Sequence, residues 1–119
     1  MSRPLPLFGL ILVFSPLLHS GEDKVDFNRD IRPILSDRCF QCHGPDPKSL
    51  EADLRLDLSE SAYQSEAIVP GKPERSEMIK RILSDDPDEV MPPPHVKKPI
   101  TTDEAERLRR WIAQGAAYA

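Results

Sequence analysis

The sequence predicts a small, mainly α-helical domain, and three apolar faces carry that expectation. Phe27, Ile31, Ile34 and Leu35 fall at helical spacing on one side of the first segment. Met78, Ile79, Ile82 and Leu83 make a second such face, and Ala105, Leu108, Trp111 and Ile112 a third. The first helix is expected from about Asp30, with Asp30 as its N-cap, which puts Pro33 in the first turn where a missing N–H costs nothing. The middle helix is expected at residues 78–83. The last, at residues 101–115, has the clearest start, because Thr101 and Glu104 match a capping box and Ile100 is placed to staple against Ala105; Gly115 ends it.

Between these helices the chain is irregular. Residues 44–51 (GPDPKSLE) carry two prolines at alternate positions and read as loop. Leu54, Leu56 and Leu58 alternate with Arg55 and Asp57, the pattern of a short strand or extended segment. A Pro-Gly turn lies within residues 67–73, and residues 85–99 form a loop whose Pro92, Pro93 and Pro94 predict a polyproline-like stretch.

Ahead of all this, residues 5–18 form an apolar run without a charge, preceded by Arg3 and followed by an abrupt charged stretch at residues 22–24. That is the layout of a secretory signal peptide over residues 1–20, cut near Ser20, with residues 21–119 as the mature domain. The run is shorter than the roughly 20 apolar residues of a membrane-spanning helix, and Pro16 interrupts it, so no anchor is expected after cleavage. Removing the leader takes Arg3 and no acidic residue, so 16 basic residues fall to 15 against 20 acidic ones. An acidic surface disfavours nucleic acid and anionic lipid as partners and is compatible with a basic protein partner. The mature part holds few aromatic residues, so a non-protein group is expected to fill part of its centre.

Cys39-Phe40-Gln41-Cys42-His43 is a C-x-x-C-H sequence. Two thiols on adjacent helical turns can each add to one vinyl group of a porphyrin, and the histidine after the second thiol then lies under the iron. These are the only two cysteines of the chain, and one covalently attached haem c is the expected cofactor. Three alternatives compete: a local Cys39–Cys42 disulfide, a thioredoxin-type dithiol, which needs a βαβ context, and structural zinc, for which His95 would be the sole remaining donor. For a sixth iron ligand Met91 is the first choice, as a soft thioether beside a stiff proline run, with His95 or an open site as alternatives. Met78 belongs to a helix face and reads as packing. Asp85, Asp86, Asp88 and Glu89 read as a solvated loop, and the charges of residues 104–110 as the wet face of the last helix.

The stretches DIRPIL, CFQCHG, LRLD, AIVPGKPERS, MPPP and TTDEAERLRRWIAQGA, in that order, resemble the planctomycete-type cytochrome c domain, a small relative of the class I cytochromes c. The resemblance implies a cytochrome c-like helical fold around one haem, the first and last helices crossing near Phe27, Ile31, Leu108 and Trp111. It implies Cys39 and Cys42 as thioether cysteines, His43 as proximal ligand and Met91 as distal ligand. The sequence departs from the family where small residues usual before LRLD are replaced by Glu51, Ala52 and Asp53. It departs again where a glycine-containing segment before AIVPG is replaced by Gln64, Ser65 and Glu66. In the family this domain usually opens a much longer protein, so the chain is expected to be either a free-standing member or part of one. With both axial positions filled, the implied work is one-electron transfer to a redox partner protein in a periplasmic or equivalent extracytoplasmic space, and not catalysis. The alternatives are a haem-based sensor or catalytic accessory domain with an open distal site, and a non-haem module closed by a Cys39–Cys42 disulfide.

Overall fold

The computed structural model describes residues 2–6, 9–11 and 23–119; the expected signal peptide over residues 1–20 and its cut near Ser20 lie largely outside the described residues. Among the described residues the chain is helical, with no strand, and no helix is long and apolar enough to cross a membrane. Five α-helices follow one another: α1 (Arg32–Arg38), α2 (Phe40–His43), α3 (Ser59–Gln64), α4 (Glu77–Ile82) and α5 (Thr102–Ala113).

The first helical segment starts earlier than its proline suggests. A π-helical turn, Phe27–Ile31, precedes α1, and its N-cap is Asp26, not Asp30. Asp26 accepts the Asn28 N–H at 3.2 Å, while Asp30 Oδ2 accepts the Asp26 N–H at 2.9 Å, so the two carboxylates satisfy two donors at the start of the turn. Asp30 is held at a pKa of about 2, well below the ordinary carboxylate value, first by its hydrogen bond to Arg29. Pro33 sits in the first turn of α1, where it lacks a donor that the i−4 carbonyl would need, and the register changes from π to α just before it.

The π turn and α5 contact each other, as expected for crossing terminal helices, and Ile31, Leu35, Ile68, Leu108, Trp111 and Ile112 are fully buried together. Four of the five mature aromatic rings gather here. Phe27 lies 5.6 Å from Trp111 and 4.8 Å from Tyr118, and Tyr118 meets Tyr63 edge-on at 6.0 Å. Each polar tip has an acceptor: Trp111 Nε1 donates to Ala117 O at 3.1 Å, Tyr118 Oη to Leu56 O at 2.8 Å, and Tyr63 Oη to the Ala116 carbonyl. The helix crossing is thus filled by side chains.

Two loops differ from their sequence reading for the same reason. Residues 54–58 form turns and not a strand, because their backbone donors find no ladder: Leu54 N–H bonds Glu51 O at 3.1 Å, Arg55 N–H bonds Ser61 Oγ at 3.0 Å, and Leu56 N–H bonds His43 O at 2.7 Å. Leu56 is buried, whereas Leu58 is exposed. The short helix α3 was not expected, since of its six residues only Ala62 is buried and no period shows. The proline run divides: Pro93 keeps polyproline-like angles, but Pro94 opens a 3-10 turn, Pro94–Val96. The capping box of α5 is present as expected, with Thr101 Oγ1 accepting the Glu104 N–H at 3.1 Å and Glu104 Oε1 the Thr101 N–H at 3.0 Å.

The Pro-Gly stretch of the sequence is a docking turn. Gly71 has φ +81°, and its N–H donates to Ile112 O at 2.8 Å, tying the turn to the end of α5. Ser76, fully buried, closes it by accepting the Val69 N–H at 2.9 Å and donating to Lys72 O at 3.0 Å. Met78, the next buried residue, is part of the core, in line with its reading as packing.

Candidate functional site

The site grows from one turn of helix. Cys39 ends α1, donating its N–H to Leu35 O at 2.8 Å, and its own carbonyl accepts the His43 N–H at 2.8 Å, so α2 restarts the coil from Cys39. Residues 39, 42 and 43 therefore stand at i, i+3 and i+4 and share one face. Both cysteines are free thiols. Burial pushes the Cys39 thiol up to about 12, and the adjacent Arg38 guanidinium offsets only part of that. A thioredoxin-type dithiol also lacks its βαβ setting, since no strand occurs among the described residues. Structural zinc has no support either: among the described residues no three His, Cys, Asp or Glu side chains converge on a metal position.

His43 has a defined tautomer. Its Nδ1 lies 3.1 Å from Leu54 O. A carbonyl only accepts, so Nδ1 carries the proton and the lone pair sits on Nε2, the arrangement of a metal-ligating imidazole fixed by its other nitrogen. The loop that supplies Leu54 is folded back on α2 by Glu51 N–H to Cys42 O at 2.8 Å and Leu56 N–H to His43 O at 2.7 Å. Its tight turn holds Ala52 and Asp53 at φ 55° and 53°. These are two of the positions where the sequence departs from the small residues usual in the family, and Glu66, in the other departure, has φ 61°. The left-handed backbone explains why small residues suit both places.

Gly44 follows the histidine under a steric demand. A Cβ there would lie 2.2 Å from the Phe40 carbonyl oxygen, inside α2 itself. Gly44→Ala should therefore displace the turn that carries Cys42 and His43, lowering stability by about 1–3 kcal/mol and cutting the yield of haem-loaded protein. Chemical denaturation and the haem-to-protein absorbance ratio would measure both; an unchanged midpoint and ratio would refute the argument.

Met91 lies elsewhere. It is half-buried in an apolar groove of about 320 Å³, lined also by Ile82, Val90, Pro92 and Ile100, and its N–H donates to Arg81 O at 3.2 Å. Neither the cysteines nor His43 line this groove, so the trio is brought together while Met91 occupies a separate face. A second groove, of about 220 Å³, adjoins it at Ile82 and Ile100. His95 is exposed on the 3-10 turn and does not line the groove that holds Met91, which favours Met91 over His95 as a donor. The donor set fits a covalently held haem: two neighbouring thiols, an imidazole with a free Nε2, and a thioether in apolar surroundings.

Sequence reasoning missed two features. The Leu54 carbonyl is one, since a main-chain acceptor leaves no mark on residue identity. The other is Arg38, beside Cys39, whose Nη2 lies 3.0 Å from Glu104 Oε1 on α5. Its Nε is buried without a hydrogen-bond partner among the described residues.

Residues 39–95 match the family model described as planctomycete cytochrome C. No curated protein and no solved structure matches the chain. The match runs from the first cysteine to just past Met91, so it takes in the helical turn of Cys39, Cys42 and His43, the loop that fixes the imidazole, and Met91 itself. The match over residues 39–95 supports a planctomycete-type cytochrome c domain, a family with a haem-binding, electron-transfer role.

Proposed function

We propose that this domain binds one haem covalently through Cys39 and Cys42, ligates its iron with His43 and Met91, and passes single electrons to a redox partner protein outside the cytoplasm. The observation that carries the reading is the His43 ring, held by Leu54 O at Nδ1 with its Nε2 free, one residue after Cys42. When bound, the haem supplies a reversible one-electron change at its iron. The rest falls to the chain. The two thiols would fix the edge of the macrocycle, the Leu54 carbonyl orients the imidazole, and Ile82, Val90 and Ile100 line the groove in which the Met91 thioether lies. With His43 and Met91 both holding the iron, no position would be left for a substrate, so the domain would serve as a carrier and not as an enzyme.

The leader is part of this reading, because covalent attachment in the systems the chain resembles takes place outside the cytoplasm. N-terminal sequencing of the native protein should begin near Gly21; an intact Met1 on a cytoplasmic species would remove the export claim. For the haem itself, protein made with a cytochrome c maturation system should show sharp reduced-minus-oxidised visible bands. Its mass after denaturation should still include one haem. A chain that loses all haem on denaturation, or that gives no such spectrum, would leave the disulfide-closed module as the better description.

A further inference from the structure

The segment after Met91 is pinned to the chain just ahead of the first cysteine, and we propose that this pin is a latch: Lys98 and Asp37 hold the 91–100 loop shut and so keep Met91 on the iron. The inference rests on the reading of Met91 as distal ligand. Lys98 Nζ lies 3.1 Å from Asp37 Oδ1, joining a residue that lines the Met91 groove to one two positions before Cys39. The pair belongs to a longer chain of charges. Asp37 Oδ2 meets Arg38 Nη1 at 2.7 Å, Arg38 Nη2 meets Glu104 Oε1 at 3.0 Å, and Glu104 caps α5.

The burial along this chain is graded. Arg38 and Glu104 are 19 % and 16 % exposed, whereas Lys98 and Asp37 are 51 % and 50 % exposed. The inner pair therefore presents the Asp37 carboxylate in a set position, and the outer pair can open and close. Opening matters because few other hydrogen bonds hold the loop, and at its end Ile100 is held by packing against the core. Its start is fixed by Met91 N–H to Arg81 O, but Pro92, Pro93 and Pro94 have no N–H to give, and Val96 and Lys97 donate only within the turn, to Pro93 and Pro94. Lys98 thus supplies the cross-link at the far end. Lys98 and Asp37 are positioning residues: neither touches the thioether.

The test is an imidazole titration of the oxidised, haem-loaded full chain, followed at the weak long-wavelength sulfur-to-iron band. An exposed pair changes an equilibrium by about two- to fivefold, so Lys98→Gln and Asp37→Asn should each tighten imidazole binding by that factor. The double variant should do no more than either single one, and Lys98→Arg should keep the parent value. Lys80→Gln removes the same charge from an exposed side chain that lines neither groove and should change nothing. If Lys98→Gln binds imidazole like the parent, or no differently from Lys80→Gln, the latch is wrong even though Met91 is the ligand. If the parent itself lacks the sulfur-to-iron band, the Met91 reading fails, and the latch with it.

Discussion

A chain carrying both Cys39→Ala and Cys42→Ala should retain no haem after denaturation and should be markedly less stable than its parent. A group bound only by the folded state, at a hundred times its dissociation constant, contributes about 2.7 kcal/mol, and a covalent link acts at a far higher effective concentration. The expected loss is therefore at least about 3 kcal/mol, or roughly 12–24 °C in Tm for a domain of this size. Partial structure should survive, because the crossing of the first and last helices is packed by Trp111, Ile31, Leu35 and Leu108 without help from any other group. Limited proteolysis should locate the damage. Cleavage is expected first in residues 44–58, whose bonds to Cys42 O and His43 O depend on α2, and later in α5. Equal thermal stability of parent and double variant would show that the haem contributes nothing to the fold.

Met91→Ala should have the larger spectroscopic effect. The long-wavelength sulfur-to-iron band of the oxidised protein should vanish, and carbon monoxide or imidazole should bind readily. The reduction potential should fall by roughly 0.2 V, a part of the ~0.8 V range over which axial ligands set haem potentials, since a thioether favours the ferrous state. His95→Ala should leave all three properties unchanged, because His95 is exposed and lies outside the groove that Met91 lines. The reverse pattern, with the His95 variant losing the low-spin spectrum and the Met91 variant keeping it, would make the protein a bis-histidine cytochrome of lower potential. The same pair of variants separates carrier from sensor. A parent that binds carbon monoxide as readily as Met91→Ala has an open distal site, and the sensor or catalytic reading would then stand.

Some features were legible because their causes act over a few residues. A C-x-x-C-H spacing sets two thiols and an imidazole on one turn of helix whatever surrounds it, and the structure has them at i, i+3 and i+4. The capping box of Thr101 and Glu104 is a contract between residues three apart, and it is present as the sequence predicts. Other local signals misled. Alternation at Leu54, Leu56 and Leu58 describes a strand only if a second strand is there to take its hydrogen bonds, and the chain spends those bonds on a local turn, on Ser61 and on His43 O of α2. Asp30 has the right residue type for a cap, yet Asp26 does the capping, because a π turn fits ahead of Pro33 and moves the helix start.

By itself, then, the sequence determined what depends on covalent spacing, helical period and single-residue geometry: the Cys39, Cys42 and His43 trio, the three apolar helix faces except Leu83, which is exposed just past the end of α4, the packing role of Met78 and the turn at Gly71. Only the tertiary structure decided which main-chain oxygen orients His43, how Lys98 meets Asp37 across 61 residues, how Arg38 meets Glu104 across 66, and that the aromatic rings fill the helix crossing. The physical reason is range. Caps, periods and steric limits act between neighbours in the chain and leave a pattern in residue types, whereas these pairings are set by how the helices cross, and a backbone carbonyl such as that of Leu54 is present at every position and marks none.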